Sequence, residues 1–69
     1  MNDAVLQTLH ARYRNAHKTY YAIMVRIDEE LDRGSLPSAE ELDAESEASA
    51  ELSVARRDWL NAIFAAMKH

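Results

Sequence analysis

Residues 10–21 read HARYRNAHKTYY and combine two histidines, two arginines, a lysine and three tyrosines. Imidazoles bind metal ions, and basic side chains beside aromatic rings pair with phosphates and stack on bases. The same residue types also form the wall of a helical bundle, because their stems and rings are largely apolar. On a helix, steps of three or four residues bring a basic and aromatic group onto one face. The candidate nucleic-acid-binding residues are Arg14, His17, Lys18 and Tyr21.

Metal coordination and hydrolysis lack the patterns that they need. Di-metal helical bundles use Glu-x-x-His, and none of the three histidines has a glutamate three positions before it. His10 and His17 are two helical turns apart, which is too far for one ion to bridge directly. The chain has no cysteine, no nucleophile elbow and no glycine-rich phosphate loop. We therefore expect no catalytic residue, no metal site, no cofactor and no enzymatic activity.

The only glycine and the only proline, Gly34 and Pro37, lie close together near the middle of the chain. Gly34 can adopt the left-handed conformation that ends a helix, and Pro37 keeps the preceding residue out of helical geometry. The SAEE segment that follows is a capping box, in which Ser38 caps a new helix and Glu41 reaches back. The prediction is an all-α antiparallel helical hairpin, a single domain over residues 1–69, with helix 1 at about 3–32, a turn at 33–37 and helix 2 at about 38–67.

Apolar residues recur at alternating steps of three and four, which is the spacing of a coiled-coil seam. Helix 1 contributes large residues, whereas the facing part of helix 2 is rich in alanine and serine. Large side chains opposite small ones let two helices interdigitate at close separation. The predicted intrachain seam consists of Leu6, Leu9, Tyr13, Ala16, Tyr20, Ile23 and Ile27 on helix 1, and of Ala48, Leu52, Ala55, Trp59 and Ala62 on helix 2.

A second set of apolar residues remains after this seam is filled. A chain of 69 residues is marginally stable alone, and without disulfides a partner chain is the remaining means of support. Two hairpins that bury these stripes would form an antiparallel four-helix bundle. The alternative is that the extra residues only broaden the intrachain seam. The predicted dimer interface is Tyr21, Met24, Leu31, Leu60, Ile63, Phe64 and Met67.

Charge is distributed along the hairpin rather than across it. Residues 1–27 carry four basic side chains and one carboxylate, residues 28–51 carry ten carboxylates and one arginine, and residues 52–69 carry three basic side chains and one aspartate. Folding at Gly34 therefore makes the turn end acidic and the open end basic. Complementary potentials set orientation, so we predict a homodimer with the turns at opposite ends. The alternative is that the acidic end is only a solvated surface.

These features favour a non-enzymatic protein-interaction, regulatory or adaptor module that acts as a homo-oligomeric helical bundle in the cytoplasm, with no membrane contact. An unidentified protein partner remains open as an alternative to self-association. The second candidate function is RNA or other nucleic-acid binding through the basic and aromatic face of helix 1, which the net charge of −4 opposes. In length and topology the chain is similar to small plasmid copy-number RNA-binding hairpins, which dimerise into four-helix bundles. That likeness carries no binding residue over, and fold alone does not give function.

Overall fold

A computed structural model describes residues 3–68, and these form two long helices joined by a short turn. Helix α1 spans Asp3–Asp32 and helix α2 spans Ala39–Met67. The described residues include no β-strand, and their overall dimensions are 53 × 14 × 14 Å. The predicted all-α helical hairpin is confirmed.

Helix α1 ends in a glycine-dependent cap. Gly34 has a φ of 80°, a region that side chains with a Cβ rarely occupy. The Gly34 N–H donates to the carbonyl of Leu31 at 3.0 Å, and the Ser35 N–H donates to the carbonyl of Glu30 at 2.8 Å. This pair of bonds is the Schellman motif, and it satisfies carbonyls that the helix end would otherwise leave unpaired. The chain therefore reverses direction immediately after α1.

Helix α2 begins with the capping box that the sequence predicts. The Glu41 N–H donates to Ser38 Oγ at 3.1 Å, and the Ser38 N–H donates to Glu41 Oε1 at 3.0 Å. Ser38 itself is extended, with φ −76° and ψ 163°, as an N-cap residue should be. Glu40 and Glu41 place negative charge at the positive end of the helix dipole. The start of α2 is thus fixed by local hydrogen bonds.

The two helices pack through a thin seam of mostly small residues. Only four residues with described side chains are buried, namely Ala16, Ile27, Ala48 and Ala55, and no large side chain among them is fully inaccessible. Full burial of a large apolar side chain contributes about 1.5–3 kcal/mol, and partial burial contributes less. One hairpin therefore gains little apolar stabilisation for its length. The other predicted seam residues are half-buried: Leu6, Leu9, Tyr13, Tyr20, Ile23, Leu52, Trp59 and Ala62.

Candidate interaction surface

One face of the hairpin, called here the Arg12 face, is polar and closed by an ion-pair cluster. Arg12 Nη2 lies 3.0 Å from Glu51 Oε1, and Arg12 Nη1 donates to Asp58 Oδ2 at 3.0 Å. The hydrogen bond and charge of Glu51, with a smaller contribution from Asp58, raise the pKa of the Arg12 guanidinium. An open groove beside this cluster is lined by small and polar side chains such as Thr8 and Asn15. The Arg12 face is therefore suited to contact with water.

On the opposite side of the seam, aromatic rings connect the helices at the open end. The ring of His10 stacks on Trp59 with centroids 4.7 Å apart, and Tyr13 stacks on the same indole at 5.2 Å. His17 lies next along α1, with its ring 6.2 Å from that of Tyr13. Stacked and tilted rings at these separations attract one another beyond simple burial. These four residues form the aromatic cluster.

The aromatic cluster continues into apolar stripes on both helices. From His17, steps of four, three and seven residues reach Tyr21, Met24 and Leu31, so these side chains share one side of α1. On α2 the equivalent side contains Leu42, Leu60, Ile63 and Met67, with Phe64 at its edge. Glu51 and Asp58 lie on the other side of the buried Ala48–Ala55 line. Both stripes therefore belong to one surface, the apolar face, opposite the Arg12 face.

The structure leaves much of this apolar face open to water. The exposed fraction is 63% for Tyr21, 50% for Leu31, 64% for Phe64 and 75% for Met67. Met24, Leu60 and Ile63, the remaining residues of the predicted dimer interface, are half-buried within the single hairpin. Exposed large apolar side chains on one face are typical of a binding surface.

Two further apolar residues at the turn end were missed by the sequence reasoning. Leu36 is 85% exposed at the tip of the turn, and Leu42 is 50% exposed on the first turns of α2. Together with Leu31 they form a group of leucines among carboxylates, which we call the turn cluster. Leu36 lies outside both helices, so helical periodicity gives no signal for it. The spacing of three leucines across an acidic turn is the signal that would have identified them.

A carboxyl pair joins the two helices beside the turn cluster. Hydrogen bonding to Glu41 raises the pKa of Glu30, with burial and the charge of Glu41 adding to the effect. The same hydrogen bond, followed by the bond from the Ser38 backbone N–H, lowers the pKa of Glu41. Glu41 Oε2 is shielded from solvent and has no hydrogen-bond partner among the described residues. The pKa shifts of Glu30 and Glu41 therefore oppose each other, with that of Glu30 raised at the end of α1 and that of Glu41 lowered at the start of α2.

The candidate nucleic-acid-binding residues are only partly brought together. Arg14, His17 and Lys18 line a shallow, open depression beside Tyr13. All three side chains are exposed. Tyr21 is exposed too, but it does not line that depression. The arrangement offers three cationic or titratable groups around one aromatic ring. It is a small basic patch rather than an extended groove.

Comparison with family models, with curated proteins and with solved structures found no match to this chain. Within residues 3–68, no group of three or more His, Asp or Glu side chains is arranged to hold a metal ion. Neither α1 nor α2, as far as they are described, is long and apolar enough to cross a membrane. The apolar face is thus the strongest candidate functional surface, and the basic patch is the second.

Proposed function

We propose that the chain is a small non-enzymatic protein-interaction or regulatory module that works as a homodimeric helical bundle. The observation that carries this proposal is the thin intrachain seam. The four buried residues include only one larger than alanine, Ile27, while large apolar side chains remain exposed on one face. A partner that covers this face supplies the burial that a single hairpin lacks.

A second copy is the partner that the charge distribution favours. The acidic turn end and the basic open end of one chain are complementary only when two chains lie in opposite directions. The two apolar faces would then meet in an antiparallel four-helix bundle, with the Arg12 faces outside. Exposed ion pairs contribute only about 0–1 kcal/mol each, so apolar burial supplies most of the affinity and charge supplies the orientation.

Sedimentation equilibrium tests the homodimer directly. We expect a species of twice the 7.9 kDa chain mass at micromolar concentration. Tyr21→Lys should weaken the association at least tenfold because it places a charge in the apolar face. Ala22→Lys is the matched control, since Ala22 is exposed at the adjacent position on the other side of α1. A wild-type chain that stays monomeric would contradict the proposal and direct the search to a different protein partner.

RNA binding is the second candidate function, and the patch of Arg14, His17 and Lys18 beside Tyr13 favours it. Aromatic and basic side chains can stack on unpaired bases while they pair with phosphates. A mixed pool of single-stranded RNA added to the sedimentation experiment tests this function. Binding should disappear in the Arg14→Glu, Lys18→Glu double variant while the mass of the protein alone stays unchanged. Absence of any RNA-dependent shift would reject the second candidate.

A further inference from the structure

Apolar groups are exposed at both ends of the hairpin, in addition to Tyr21 near the middle of α1. The turn cluster of Leu31, Leu36 and Leu42 lies at one end, with exposures of 50%, 85% and 50%. Phe64 and Met67 lie at the other end with exposures of 64% and 75%, and we call this pair the terminal cluster. Both clusters belong to the apolar face or extend it. Among residues 3–68, neither cluster is covered by another part of the chain.

The charged residues around the two clusters are predominantly of opposite sign. Asp28, Asp32, Asp43 and Glu45 lie around the turn cluster in sequence, where Arg33 is the one cation, and Arg56, Arg57 and Lys68 flank the terminal cluster, where Asp58 is the one carboxylate. One end of the molecule therefore carries an apolar patch with a mainly acidic rim, and the other end carries an apolar patch with a mainly basic rim. The two patches are complementary to each other rather than to themselves. That relation points to contact between two copies.

We infer that the turn cluster of one chain docks on the terminal cluster of a second copy, and that this happens twice in a symmetric head-to-tail pair. The inference rests on the homodimer proposed above and specifies its register. A two-fold axis that crosses the middle of the apolar face at right angles to the helices reverses their direction. Each helix then lies antiparallel to the same helix of its partner. Helix α1 therefore packs on α1, and α2 packs on α2.

Helix length fixes which residues meet. With full overlap of Ala39–Met67, the axis passes close to Ser53, the middle residue of α2. Leu42 lies eleven residues before Ser53 and Phe64 lies eleven residues after it. Leu42 therefore lies at the level of the partner's Phe64. On α1 the same operation brings Tyr21 to the level of the partner's Arg14, where a guanidinium can lie over the ring.

The arrangement with both turns at the same end has opposite consequences. Each α1 would then lie against the partner's α2, and the turn clusters with their acidic rims would be side by side. Arg14 would lie at the level of the partner's Arg56, because these residues have the same height within one hairpin. Like charges placed together are unfavourable at each of these points. The charge pattern thus selects the head-to-tail register.

Single-cysteine cross-linking tests this register, because the natural chain contains no cysteine and each introduced thiol reports alone. A bismaleimide linker that spans the about 8–10 Å separation of packed helices is added to the dimeric protein. Ser53→Cys should cross-link to itself. Leu42→Cys and Phe64→Cys should cross-link when refolded together, several-fold more than either alone. Asn15→Cys, exposed on the Arg12 face, is the matched control and should remain uncross-linked.

The outcomes separate this inference from the proposed function. Cross-linking of an Asp28→Cys and Leu42→Cys mixture, with none between Leu42→Cys and Phe64→Cys, would establish the same-end arrangement. It would overturn the register while leaving the homodimer intact. A dimer that cross-links only through Asn15→Cys would place the interface on the Arg12 face and would also overturn the register. A wild-type chain that sediments as a monomer would overturn the homodimer itself.

Discussion

Replacing Trp59 with alanine should destabilise the protein by about 2–4 kcal/mol. The indole is half-buried and stacks on both His10 and Tyr13, so it connects the helices at the open end of the hairpin. Removing a fully buried aromatic side chain costs about 3–5 kcal/mol, and half of that cost, about 2 kcal/mol, is expected for a half-buried ring. Each lost aromatic pair adds about 0.5–1.5 kcal/mol. The cost of lost burial and the cost of lost stacking overlap in part, so they do not simply add.

Urea unfolding followed by far-ultraviolet circular dichroism measures this loss. Circular dichroism is needed because Trp59 is the only tryptophan and its fluorescence disappears with the variant. All variants are compared at one protein concentration, since association makes apparent stability depend on concentration. Trp59→Phe keeps an aromatic ring in the stack and should lose less than half as much as Trp59→Ala.

The exposed neighbour Asn61 supplies the control for effects on the helix alone. Asn61→Ala should change the free energy of unfolding by no more than about 0.5 kcal/mol, as most surface substitutions do. If Trp59→Ala differs from Asn61→Ala by less than about 0.5 kcal/mol, the aromatic cluster does not hold the helices together. The assignment of Trp59 to the intrachain seam would then fail.

Four further changes test the turn, the carboxyl pair and the charge match. Gly34→Ala should cost about 1–2 kcal/mol in urea unfolding, because a φ of 80° strains a residue with a Cβ even though the added methyl group meets open space. Ser38→Ala should cost about 1 kcal/mol in the same assay, because it removes the N-cap acceptor of α2. Because the pKa of Glu30 is raised, its contribution to the free energy of unfolding is present below the ordinary glutamate pKa and is lost as pH rises through the raised pKa. The lowered pKa of Glu41 means that its contribution is present above the ordinary value and is lost as pH falls through the lowered one. Glu30→Gln, which keeps a donor at all pH values, should therefore raise the melting temperature above the raised Glu30 pKa and flatten its dependence on pH above the ordinary glutamate pKa; an unchanged profile would contradict the interaction between Glu30 and Glu41. The proposed homodimer should dissociate more readily as salt is raised, and a dissociation constant that does not change with salt would contradict a role for charge complementarity.

The turn was predictable because its signals are local. Gly34, Pro37 and the Ser38–Glu41 pair act within a few residues, and each forms the hydrogen bonds or backbone geometry expected of its type. The helices themselves follow from apolar periodicity, which is also a property of neighbouring residues. The fold class therefore required no knowledge of long-range contacts.

Contacts between the helices were harder to predict from the sequence. Whether Arg12 pairs with Glu51, with Asp58 or with both depends on the register of α1 against α2, which the turn sets only to within a few residues. The stacking of His10 on Trp59 depends on the same register. Exposure of Leu36 was missed for a different reason, since a turn residue belongs to neither helical stripe. The geometry of the helix pair, rather than residue type, decides the ion pairs of Arg12 and the stacking of His10 on Trp59.

The two faces of the hairpin differ in how well they are suited to contact with water. On the Arg12 face, charged groups satisfy one another across the seam at 3.0 Å and the intervening side chains are small or polar, so water can cover this face at little cost. On the apolar face, no charged pair crosses the seam among the described residues, and large side chains remain exposed from the turn to the open end. If the exposed residues only broadened the intrachain seam, they would be covered at both ends of the hairpin. Instead, among the described residues, exposure is greatest at Leu36 in the turn, 85%, and at Met67 near the open end, 75%, where the proposed head-to-tail pair would cover them.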